Sequence, residues 1–286
     1  MTDAETSPFV VSFDWLAQRL AEPGVRIVDA SWYLPAQNRN AADEFAAARI
    51  PGAVFFDQDR IVDPNSNLPH TLPSPEDFAK AAGKLGISEN DTIIVYDGPG
   101  MFTAPRVWWM LRSYGAANAY VLNGGVDAWK AEGRPVETGA ARQPEPATFT
   151  PNFNGGAVAS FSDMGAVVQD QTSQIADARG PGRFTGAEPE PRAGMRSGHM
   201  PGAFNVPFGV LSNDGKLKPM SELRTVLESS GLDLNKPVVT TCGSGVTAAV
   251  ITLALQSVGH SDNRLYDGSW SEWGGRDDTP VVTGDA

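Results

Sequence analysis

Residues 236–259 read KPVVTTCGSGVTAAVITLALQSVG, and residues 91–115 read DTIIVYDGPGMFTAPRVWWMLRSYG. Each stretch opens with a short β-branched run, VVTTC or IIVYD, suited to a strand buried on both faces. Each then passes through a glycine-bearing turn into a helical stretch, VTAAVITLALQSVG or APRVWWMLRSYG. A strand feeding a helix in this way is the unit of a parallel sheet covered by helices.

The flanks of both stretches match as well. Upstream in the first half stand VRIVDASWYL (25–34) and ARIPGAVFFDQD (48–59), and downstream YVLNGGVDAWKAEGRPV (120–136). The second half has SQIADARGPG (173–182), GHMPGAFNVPFG (198–209) and RLYDGSWSEWGGRDDTPV (264–281). The blocks share order and approximate spacing, which marks an internal duplication. Asp29 pairs with Asp177, Pro51-Gly52-Ala53 with Pro201-Gly202-Ala203, and Trp129 with Trp273. The expected fold class is α/β: two tandem domains, each a mostly parallel sheet flanked by helices on both faces. The Pro/Gly/Ala-rich stretch at 137–160 is the natural connector. The domains are therefore expected at 1–145 and 161–286, with a linker at 146–160.

The two copies differ where the central strand ends. The first has Asp97 and the second Cys242, the only cysteine. A lone cysteine is often no more than a small buried hydrophobe. In an open α/β sheet, however, ligands gather at the carboxyl ends of strands, where Cys242 is placed. Gly243 and Gly245 allow a loop whose N–H groups curl into an anion-binding nest, and a helix beginning around Val246 adds its positive end. Both features favour thiolate over thiol. Ser244 and Thr247 add hydroxyls within reach of the sulfur or a substrate. A phosphatase loop of this kind needs an arginine six positions after the cysteine, and Ala248 stands there. Phosphoryl chemistry is excluded on that ground.

Composition narrows the class further. A hydrophobic fraction of 41% and a charged fraction of 20% are those of a globular chain with ample core. A formal net charge of −12 argues against nucleic acid as a partner. An anionic substrate then has to be drawn in by local arginines. One cysteine excludes an intramolecular disulfide, and His70, His199 and His260 match no metal-ligand spacing. No apolar run approaches the roughly 18 residues of a membrane span. The acidic start MTDAETSPFVVSFDW has neither the basic residues nor the apolar stretch of a secretory signal, so a cytoplasmic protein is expected.

The duplicated domain, the loop CGSGVTA, and the segments EPEPR (188–192), GHMPGAFNVP and YDGSWSEW together resemble the rhodanese superfamily of sulfurtransferases. The match is nearest to its 3-mercaptopyruvate-using branch and covers nearly the whole chain. The resemblance implies a catalytically silent first domain and a second domain carrying the nucleophile, with substrate between them. Cys242 would take sulfur from 3-mercaptopyruvate as a persulfide, release pyruvate, and hand the sulfur to a thiol such as reduced thioredoxin, or to cyanide. It implies no metal or organic cofactor, and the chain is expected to act as a monomer. The family's substrate arginines fall on Arg183 and Arg192. Guanidinium groups suit an α-keto acid, holding its carboxylate bidentately. Ion pairing of these arginines with Glu188 and Glu190 is the alternative. Ser244 matches the loop serine that hydrogen-bonds the substrate and helps move a proton. Asp59 and His70 match residues that support that serine from the first domain. Gly243, Gly245, Val246 and Thr247 complete the expected binding loop.

His199 reads as part of a structural turn, because its counterpart is Arg49. Trp270 and Trp273 read as core, and Asp177 with Arg179 as a local salt bridge. Thiosulfate-using relatives place basic residues directly after the cysteine, whereas Gly243 and Ser244 are small and neutral. Preference for 3-mercaptopyruvate with residual thiosulfate activity is expected. The alternatives are a thiosulfate:cyanide sulfurtransferase and a non-catalytic rhodanese-like binding module.

Overall fold

A computed structural model describes residues 5–285. The first half carries strands β1 (Val10–Val11), β2 (Val25–Asp29), β3 (Val54–Phe55), β4 (Thr92–Tyr96) and β5 (Ala119–Leu122). The second carries β6 (Val158–Ala159), β7 (Gln174–Asp177), β8 (Ala203–Asn205), a small hairpin of β9 (Ser212–Asn213) and β10 (Lys216–Leu217), then β11 (Val238–Thr241) and β12 (Asn263–Tyr266). Helices α1 (Phe13–Ala17), α2 (Ala41–Ala47), α3 (Pro75–Lys84), α4 (Ala104–Ser113) and α5 (Val126–Ala131) belong to the first half. Helices α6 (Phe161–Asp170), α7 (Pro181–Thr185), α8 (Met220–Ser229), α9 (Ala248–Ser257) and α10 (Ser269–Trp273) belong to the second.

The duplication is carried into the topology. The two five-stranded sheets have the orders β1-β5-β4-β2-β3 and β6-β12-β11-β7-β8, with every pairing in them parallel. Alternate residues of the central strands face opposite layers. Ile93, Val95 and Val238 join one core, while Ile94 and Val239 join the outer cores of their own sheets. The shared core holds the buried faces of α4 and α9, which pack on each other, so both sheets close on one apolar interior. Trp129 and Trp273 are buried in matching places, and their Nε1 groups donate to the carbonyls of Pro135 and Pro280. No helix among the described residues is long and apolar enough to cross a membrane.

Helix α9 starts two residues later than its sequence suggests. Gly245 takes a left-handed φ of 79°, and Val246 and Thr247 remain in the loop before α9. This leaves their N–H groups outside the helix ladder, free to face the loop's interior. Likewise β6 lies inside the 146–160 stretch but already pairs with β12.

Candidate active site

Asp97 shows what this loop type does. Its carboxylate is fully buried and accepts N–H groups of Gly100 (2.5 Å), Phe102 (3.0 Å), Thr103 (2.7 Å) and Ala104 (2.7 Å). Burial pushes Asp97 above the usual carboxylate range, and these four donors oppose it. The first copy has folded its nest around its own side chain. Tyr33 and Arg39 fill the space beside Gly98, and Arg39 is itself held by Glu44 and Asp127.

In the second copy the matching side chain is Cys242, 2% exposed, at the end of β11. Counted back from the helix start, Val246, Thr247 and Ala248 match Phe102, Thr103 and Ala104. Among the described residues none of their N–H groups donates to a protein oxygen. The YDGSW segment braces the loop from behind. Trp270 N–H donates to the Cys242 carbonyl and Ser271 N–H to the Gly243 carbonyl, each at 2.9 Å, and Ser271 Oγ reaches the latter at 2.6 Å. Ser269 Oγ accepts the Cys242 N–H at 3.4 Å. Such a loop is preorganised to hold a charged sulfur or an anion beside it.

Both expected arginines arrive at this loop. Cys242, Gly243, Ser244, Val246, Thr247, Arg183 and Arg192 line one open pocket, with Trp32 and Leu34 contributed by the first domain. The only β-carbon space at Gly243 is taken by guanidinium: a Cβ there would lie 2.9 Å from Arg183 Nη2 and 3.8 Å from Arg192 Nη1. A larger residue at that position would have to push the Arg183 guanidinium aside, so glycine leaves room for both arginines. Arg183 is also paired with Glu190 at 2.5 Å, so the alternative of an ion pair holds for it in addition. Arg192 pairs with neither Glu188 nor Glu190 and makes no ion pair among the described residues. Burial holds its guanidinium below the ordinary value, and the Cys242 sulfur is the strongest influence opposing that.

Behind Arg183 the charges continue. Arg179, fully buried, bonds Asp177 at 2.6 Å and Glu190 at 2.7 Å, and lies over the Trp270 ring. Burial pulls Arg179 down, but the two carboxylates outweigh it and the net shift is upward. The local Asp177–Arg179 pair is thus present and extends through Glu190 to Arg183. Glu190 was read in the sequence only as a possible surface partner. Its place within EPEPR, between two prolines, is the signal that it is held rigidly.

From the first domain His70 reaches the loop. Its Nδ1 lies 2.9 Å from Ser244 Oγ and its Nε2 3.0 Å from Asp59 Oδ1. Burial lowers the His70 pKa against the opposing pull of Asp59, so the imidazole is neutral near pH 7. The bond from His70 holds Asp59 below its usual value despite partial burial. An ionised Asp59 only accepts, so Nε2 carries the proton. Nδ1 then accepts from the Ser244 hydroxyl. Trp32, which sequence reading missed, stacks edge-on against His70 and donates its Nε1–H to Asp59 at 3.0 Å. His199 is structural: it stacks on Phe184 and Nδ1 bonds the Phe184 carbonyl. All ten expected site residues therefore lie in or directly behind one site at the domain junction.

Comparison with known proteins agrees with this layout. The rhodanese-like domain matches residues 12–132 and again 161–276. A 3-mercaptopyruvate sulfurtransferase of Escherichia coli (strain K12) is 44% identical over 277 residues, 96% of this chain and 98% of that protein. The mitochondrial thiosulfate/3-mercaptopyruvate sulfurtransferase 1 of Arabidopsis thaliana is 40% identical, over 98% of this chain and 79% of that protein. The crystal structure of SseA, a 3-mercaptopyruvate sulfotransferase from Escherichia coli, superposes with a TM-score of 0.85 at 41% identity, covering 93% of this chain and 99% of that one. With two matching domains, one sulfur-bearing loop and near-complete coverage, the chain belongs to the rhodanese family.

Proposed function

We propose that this chain is a sulfurtransferase that moves the sulfur of 3-mercaptopyruvate onto Cys242 and then to a thiol acceptor. The observation that carries this reading is the meeting of two guanidiniums at Gly243, beside the only cysteine, with Arg192 in no ion pair among the described residues. Arg183 and Arg192 hold the carboxylate and carbonyl of the keto acid. The Cys242 thiolate attacks the substrate sulfur, the S–S bond forms, the C–S bond breaks, and its electron pair passes to the departing carbon as the enolate of pyruvate. The substrate thiol's own proton ends on that carbon, giving pyruvate and a persulfide anion. Ser244, hydrogen-bonded to neutral His70 and backed by Asp59, is placed to relay this proton. The amides of Val246, Thr247 and Ala248 hold the persulfide charge. An acceptor thiolate, such as that of reduced thioredoxin, then takes the outer sulfur and restores Cys242.

The same reading makes residues 1–145 a non-catalytic partner domain, 146–160 a connector and 161–286 the catalytic domain. One chain completes the site, so it acts as a monomer. A lone reactive thiol is kept reduced in the cytoplasm, where we place the reaction. The Arabidopsis relative is named for both donors, which supports residual thiosulfate use here. Steady-state assays with each donor test the assignment: kcat/KM should be higher for 3-mercaptopyruvate, and a higher value for thiosulfate overturns it.

A further inference from the structure

One buried charge near the site has no part in this chemistry. Arg106, third residue of α4 in the first domain, is 1% exposed. Its Nη2 donates to the His70 carbonyl and to Asp267 Oδ1, each at 2.6 Å, and its Nη1 to the Gly245 carbonyl at 3.3 Å. Asp267 follows β12 in the second domain, and its other oxygen accepts the Leu72 N–H at 2.7 Å. A single guanidinium thus grips the backbone on both sides of the His70–Ser244 contact. Its Nε is buried and has no partner among the described residues. Leaving such a donor buried without a partner is costly, which a contact serving only to join two domains would not require.

The duplication supplies an internal control. Asn123, which follows β5, corresponds to Asp267, and its Oδ1 accepts the Leu217 N–H at 2.8 Å as Asp267 accepts that of Leu72. Val250, third residue of α9, corresponds to Arg106. Two residues before each clamped leucine the backbone is left-handed, at Gly215 (φ 73°) and at His70 (φ 61°). The clamp between domains therefore works with an amide and an aliphatic side chain. Among the described residues, a guanidinium–carboxylate pair is built into this clamp only on the side that faces Cys242.

The geometry points to Arg106 and Asp267 as a positioning pair for the sulfur-carrying loop, an inference that rests on the sulfur-transfer reading above. The peptide bonds are trans, so the C=O and N–H of one peptide plane point in opposite directions. Drawing the Gly245 carbonyl toward Arg106 turns the Val246 N–H to the other side. In the first domain the matching Phe102 N–H meets the Asp97 carboxylate on that side. Arg106 thus keeps the Val246 N–H aimed at the sulfur. Its bond to the His70 carbonyl holds that residue in a backbone region costly for a non-glycine residue, with the imidazole on Ser244. Neither Arg106 nor Asp267 lines the pocket at Cys242.

The test is Arg106→Val with Asp267→Asn, which installs the residues found at the matching places of the other half. Three quantities are read: thermal melting, kcat and KM for 3-mercaptopyruvate, and the alkylation rate of Cys242 by iodoacetamide at pH 7 without donor. The double variant should fold, lose about 30-fold in kcat, keep KM within about threefold, and alkylate about 5-fold more slowly. Arg106→Lys, which keeps the charge but not the fork, should fall between. A folded double variant with wild-type kcat and alkylation overturns the pair's role. If the double variant does not fold, Arg106→Lys decides on the same terms. Absence of pyruvate release from the wild type instead overturns the sulfur-transfer reading, while the alkylation comparison still tests the pair.

Discussion

Replacing Arg183 with Met should cost more than replacing Arg192, although it is Arg192 that makes no ion pair among the described residues. The cluster of Asp177, Arg179, Glu190, Arg183 and Arg192 carries three positive and two negative charges, so either change takes it from +1 to neutral. Removing Arg192 deletes charge-assisted bonds to the donor's carboxylate, worth about 1.5–3 kcal/mol, or about 10- to 150-fold in kcat/KM. Removing Arg183 deletes similar bonds and also strips Glu190 of one of its two partners. The Glu190 side chain is 3% exposed, and its carboxylate would then face an anionic substrate. A further like-charge penalty of about 1–2 kcal/mol brings the loss to about 70- to 5,000-fold. Adding Glu190→Gln to Arg183→Met removes the stranded charge and should restore about 5- to 10-fold. The assay is steady-state pyruvate release for the two single variants and the double variant. Equal kcat/KM in Arg183→Met with and without Glu190→Gln would refute the coupling, and unchanged kinetics in both arginine variants would refute the choice of arginines.

Two further outcomes follow from the same geometry. Because burial lowers the His70 pKa below its ordinary 6.5, the unfolded chain binds a proton there that the folded one resists. Stability should be fully present above pH 6.5 and decline as pH falls through that value toward the lowered folded pKa; urea unfolding at pH 7.5 and 5.5 should show this, and His70→Gln should reduce the difference. Asp97→Ala leaves four buried N–H groups without their acceptor and should cost about 3 kcal/mol in urea unfolding while the folded enzyme keeps its kcat. A drop in kcat with unchanged stability would mean that the first-domain nest is not merely structural.

Much of this was legible before any coordinates. Strand–turn–helix blocks repeated in one order are a local pattern, and they led to two parallel sheets with matching strand orders. Comparing the copies singled out Cys242 against Asp97, since a difference inside a repeat marks where the halves do different work. Two further contrasts, Arg106 against Val250 and His70 against Gly215, were not read from the sequence. Those contrasts could be interpreted only once α4 and α9 were known to pack together, because Arg106 and Gly245 lie 139 positions apart. Glu190 was visible as a neighbour of Arg183, but not its burial or its second bond to Arg179. The late start of α9 reflects the left-handed Gly245, a conformation that spacing alone does not reveal.

The central claim is that Cys242 carries sulfur covalently, and intact-mass spectrometry after exposure to 3-mercaptopyruvate addresses it most directly. The wild-type chain should gain about 32 Da, one sulfur atom, and lose it again on addition of a thiol acceptor, whereas Cys242→Ser should gain nothing. No adduct on the wild type, or one that persists in Cys242→Ser, would contradict the account.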